Sequence, residues 1–87
     1  MPIAAFDDRA PEERQVTAYD ERHHQTYWRL LDAAEENADW CEVVQVIFGI
    51  DPSNEPERAR LIYDSHLARA RWMAASGYRH YLRPSQG

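Results

Sequence analysis

The stretch "EPERARLIYDSHLARARWMAASG", residues 55 to 77, constrains the fold more than any other part of the chain. Ala59, Ile62, Tyr63, His66, Leu67, Ala70, Met73 and Ala74 recur there at intervals of three and four residues. At 3.6 residues per turn, that spacing lays one apolar stripe along a helix of about five turns. A stripe of that length has to be covered by other elements. Glu57 stands at the capping-box position, Asn54 is the expected N-cap, and Pro56 fits the first turn. Gly77 is the expected stop.

Two shorter segments supply the cover. "TAYDERHHQTYWRLLDAAEENA", residues 17 to 38, reads as a first helix, with Thr17 as its cap and Asp20 in support three residues on. Tyr27, Leu30, Leu31 and Ala34 form its apolar row. "DWCEVVQVIFG" reads as a second helix, opened by Asp39 and Glu42 and closed by Gly49. Trp40, Val43, Val44, Ile47 and Phe48 share one stripe. The β-branched run would suit a strand, but it does not alternate with polar residues, so helix fits better.

The expected fold is therefore all-α: a compact three-helix variant of the helix-turn-helix, with an extended turn between the second and third helices. Ordinary units of that kind turn in three or four residues, whereas "GIDPSN" makes six. At 87 residues there is room for one core. We place that domain at residues 17–83, after a flexible or loosely docked N-terminal arm at 1–16 and before a tail at 84–87.

Charge is unevenly spread. The formal net charge is −5, and all ten basic residues are Arg. Residues 1–54 carry 12 acids and 4 Arg, and residues 55–87 carry 3 acids and 6 Arg. A nucleic-acid reader draws much of its affinity from cations on phosphate, and this balance argues against one. Asp51, Glu55 and Glu57 gather at the start of the third helix, where a DNA-reading helix would approach phosphates. Arg58, Arg60, Arg69 and Arg71 are the residues that a DNA-binding alternative would use.

No catalytic constellation is visible. His23 and His24 are adjacent and cannot form an i, i+4 metal pair, and His66 falls on the core stripe. "DPSNEPE" lacks the spacing of a calcium loop. Cys41, the single cysteine, reads as a small, partly buried apolar residue, in keeping with a reducing compartment. No membrane span or secretory signal is present, so a soluble cytoplasmic protein without enzyme activity, metal or cofactor is expected.

Leu61, Ala68 and Trp72 lie opposite the core stripe of the third helix. Either the arm or the tail covers them, or they form a protein-binding face. Trp28 on the first helix and Tyr78 and Tyr81 near the C-terminus are further candidates for partner contact.

"YDERHHQTYWRLLDAAEENADWCEVVQVIFG", a long turn and "ERARLIYDSHLARARWMAASGYRHYL" together resemble the extended-turn helix-turn-helix domain long catalogued as a domain of unknown function. The similarity runs from Thr17 to Leu82, and "VIFG" and Gly77-Tyr78-Arg79 are its most specific parts. The resemblance implies a regulator of conjugative transfer. FseA-type activators join this domain to another and bind DNA through a positive face. QseM-type antiactivators consist of this domain alone, with a negative surface, and sequester activators. The acidic turn and the lack of a further domain fit the QseM type. The implied partners are an FseA-like transcriptional activator and a quorum-sensing regulator, and the implied effect is repression of transfer of an integrative and conjugative element. The alternatives are a DNA-binding transcription or excision factor and a toxin–antitoxin adaptor.

Overall fold

A computed structural model describes residues 5–76. Among them are four α-helices: α1 (Ala18–Arg22), α2 (His24–Glu35), α3 (Trp40–Phe48) and α4 (Pro56–Ala75). The 20-residue α4 is the central element, and both α2 and α3 pack on it.

The stripe on α4 forms the core as its spacing requires. Ala59, Ile62, Tyr63, His66, Leu67, Ala70 and Met73 are all buried. Leu30 of α2 and Val43, Val44, Ile47 and Phe48 of α3 meet Ala59, Ile62, Tyr63 and Leu67 in one cluster. Tyr27, Ala70 and Met73 form a second cluster further along α4.

Residues 17–38 are not one continuous helix. The backbone breaks at His23 (φ −111°, ψ 19°), whose N–H is shared between the Tyr19 and Asp20 carbonyls at 3.1 and 3.2 Å. The break coincides with two tertiary demands. The His23 ring is buried beside the carbonyl of Ala5 in the arm, and Asp20 turns into the interior. Thr17 and Asp20 do make the reciprocal capping box at the start of α1.

The far end of α2 closes sooner than expected, at Glu35. Asn37 adopts the left-handed conformation (φ 58°), Ala38 N–H returns to the Ala33 carbonyl, and Asn37 N–H returns to that of Ala34. This Schellman pattern satisfies the last carbonyls. At the end of α3, Gly49 takes φ 72° and bonds back to Gln45, which lets Ile50 fold into the core.

The connection between α3 and α4 runs over residues 49–55, one residue longer than the sequence suggests. Glu55, not Asn54, is the N-cap of α4, and it makes no side-chain capping bond. Asn54 is drawn instead to Asp51, whose carboxylate accepts from the Asn54 side-chain amide and from the Ser53 N–H. That local bonding holds the turn and leaves Pro56 to open the helix.

The described part of the arm belongs to the packed body. Phe6 stands edge-on to Phe48 at 5.0 Å, and Ala10 is buried. Phe6 and Val16 pack against the two core clusters, so the described arm covers apolar surface that would otherwise be exposed. Among the described residues, no helix is long and apolar enough to cross a membrane.

Candidate protein-contact surface

The second apolar face of α4 lies under the arm. Arg69 donates from Nη1 to the Glu13 carbonyl and from Nη2 to the Gln15 carbonyl, while Ala10 N–H donates to Ser65 Oγ. Leu61 and Trp72 are half-buried as a result, and Ala68 is exposed. Arm and helix leave a cleft of about 380 Å3 between them, bordered by Pro11, Leu61, Ala68 and Trp72. Leu61 and Trp72 are therefore partly covered by the chain's own arm.

The same bonds place Arg69 in the interior rather than on a DNA-facing surface. Its Nε and Nη2 donate to the two carboxylate oxygens of Asp20 at 3.1 and 2.7 Å. Asp20 also accepts from the Thr17 N–H and from the Tyr27 hydroxyl, both at 2.8 Å. Burial pushes the Asp20 carboxyl upward, but the bonds from Arg69, Thr17 and Tyr27 outweigh it and hold the group below its ordinary value. Burial and the neighbouring carboxylate push the Tyr27 hydroxyl strongly upward. The Arg69 guanidinium also lies over the Trp72 ring at 4.0 Å.

Arg58 and Arg60 are exposed but engaged. Arg58 bridges Asp8 of the arm and Glu55 at 2.9 and 3.0 Å. Arg60 pairs with Asp64 at 3.0 Å and lies over Trp40 at 4.7 Å. Arg71 is exposed. Asp51, Glu55 and Glu57 are exposed at and just before the start of α4. The four arginines thus do not form one face.

Beside α1, His66 and His23 enclose Tyr19. His66 Nδ1 lies 2.8 Å from the Ile62 carbonyl, which fixes its proton there and leaves Nε2 to accept from the Tyr19 hydroxyl at 2.6 Å. Tyr19 in turn accepts from the Asp7 N–H at 3.0 Å. The rings of Tyr19 and His23 stack at 4.3 Å. Burial lowers the pKa of both histidines. These groups tie the arm to the core, and His23 Nδ1 is buried without a hydrogen-bond partner.

The open apolar surface lies elsewhere, between α2 and α3. Trp28 is 39% exposed and Val46 68%, and they are the exposed large hydrophobics of the described residues. Both line one groove of about 410 Å3, together with Ala33, Val43 and Ile47. Asp32, Glu36 and Glu42 line it too, against a single Arg29. Among the described residues, Trp28 is thus the partner-contact candidate with the most open setting. Val46 lies off the buried stripe of α3, and its exposure is visible only in the structure. Tyr78 and Tyr81 lie outside the described residues.

The sequence matches no protein-family model and is not significantly similar to any curated protein.

Proposed function

We propose that this protein is an antiactivator that binds a transcriptional activator by protein contact and represses transfer of an integrative and conjugative element. In this reading α3, the 49–55 connection and α4 are a helix-turn-helix variant with an extended turn, turned from DNA reading to mimicry. The FseA-like activator would be captured in place of the contact that its own related domain makes.

The observation that carries the reading is the state of three of the four arginines on α4. Arg69 is buried on Asp20, while Arg58 and Arg60 each hold a carboxylate of this chain. Exposed pairs are weak and could exchange a carboxylate for a phosphate. Here, though, Asp51, Glu55 and Glu57 are exposed at and just before the start of the same helix and oppose a polyanion.

The test is fluorescence anisotropy of labelled duplex DNA, including promoter sequences, at low and at physiological salt, beside a pull-down with an FseA-type activator. Capture of the activator without duplex binding is the expected result. Tight binding to one duplex at physiological salt would instead make the chain a DNA-binding transcription or excision factor.

A further inference from the structure

Both exposed large hydrophobics of the described residues, Trp28 and Val46, fall in the same groove between α2 and α3. Scattered single apolar residues on a surface are ordinary, but two that converge on one concavity are not. The charge around them is mostly negative, with Asp32, Glu36 and Glu42 on the rim against Arg29. From Leu30 through Glu57 the sequence has eight acids and no Arg, Lys or His. That stretch runs from the second half of α2 through α3 and the connection to the first two residues of α4. The last turn of α2 carries no basic residue, so the partial negative charge of its carbonyl end adds to Glu35 and Glu36 rather than being offset.

We infer that the α2–α3 groove is the docking site for a basic amphipathic helix of a partner protein, whose apolar side chains pack on Trp28 and Val46 while its Lys or Arg residues meet Asp32, Glu36 and Glu42. A helix fits better than an extended chain, since among the described residues there is no strand whose edge an extended peptide could extend. Like-signed carboxylates around an apolar floor attract a cationic partner and repel nucleic acid and acidic peptides. The inference rests on the reading of the chain as a protein-binding one, and it adds the face and the chemistry of the ligand.

The probe is a synthetic 16-residue helical peptide with leucines at i, i+3, i+4 and i+7 and with Lys and Arg elsewhere. Its counterpart carries Glu at the basic positions. The 15N-labelled protein has three indole signals, from Trp28, Trp40 and Trp72, and single Trp→Phe variants assign them. The basic peptide should shift the Trp28 indole, and the acidic one should leave it in place. Val46→Asp and the Glu36→Arg/Glu42→Arg pair, all at exposed positions, should each weaken binding about tenfold or more. Circular dichroism of these variants confirms that the fold is kept. Shifts confined to other residues, or equal binding of the acidic peptide, would overturn the site. Concentration-dependent dimerisation that Val46→Asp abolishes would make a second copy the occupant and overturn it as well. A pull-down with the FseA-type activator separates the two claims. Equal capture by the wild type and by the Glu36→Arg/Glu42→Arg variant removes the groove and leaves the antiactivator reading. Peptide binding at Trp28 without activator capture keeps the groove and removes that reading.

Discussion

Arg69 on α4 and Asp20 on α1, 49 residues apart in sequence, form a two-pronged ion pair in the interior, with Nη2 and Oδ2 at 2.7 Å. The pair joins the first helix to the central one, and the remaining Arg69 bonds hold the arm at Glu13 and Gln15. Removing one member leaves the other charged and buried, at a cost of about 3–5 kcal/mol. Arg69→Met and Asp20→Leu should each lower the unfolding free energy by about that much in urea titrations. The double variant should lose clearly less than the sum, because neither charge is then stranded. Additive losses would mean that the two residues act separately.

Stability should depend on pH in two steps. The folded state holds His23 and His66 below their ordinary 6.5. The stability gained by keeping them neutral is therefore present above that value and is lost as pH falls from 6.5 towards their depressed folded values. The folded pKa of Asp20 is likewise depressed below its ordinary 3.8. Its contribution is present above 3.8 and is lost as pH falls through the lower folded value. Thermal midpoints should be level between about pH 7 and 9, fall through the histidine range and fall again in strong acid. His66→Gln should shallow the first decline, and an unchanged slope in that variant would exclude His66 as a source.

Gly49 and Asn37 both occupy left-handed backbone. A Cβ at Gly49 would meet nothing within 4 Å, so Gly49→Ala tests backbone strain alone. It should cost about 1–2 kcal/mol, whereas Asn37→Gly should cost nothing or stabilise slightly. Denaturant midpoints at constant slope are the readout.

Two apolar truncations should separate core from contact surface. Leu30 is fully buried in the main cluster, and Leu30→Ala should cost about 2–5 kcal/mol. Val46, on the exposed side of α3, should tolerate Ser within about 0.5 kcal/mol. A large loss at Val46 would show that the groove is a structural seam rather than an open face.

The apolar periodicity of α4 determined its buried face from Ala59 to Met73, because side-chain direction in a helix repeats locally every 3.6 residues. The stripe of α3, its Gly49 stop and the capping box of Thr17 and Asp20 were legible for the same reason, each being a bond or contact within a few residues. The charge imbalance was legible too, as a count. Only tertiary structure decided the break at His23, the shift of the α4 cap to Glu55 and the docking of the arm. It also decided that Arg69 turns inward and Trp28 outward. Each of these depends on a partner tens of residues away or on competition between neighbouring side chains. A polar residue on a helix shows its spacing in the sequence, but not whether a carboxylate such as Asp20 waits for it across the fold.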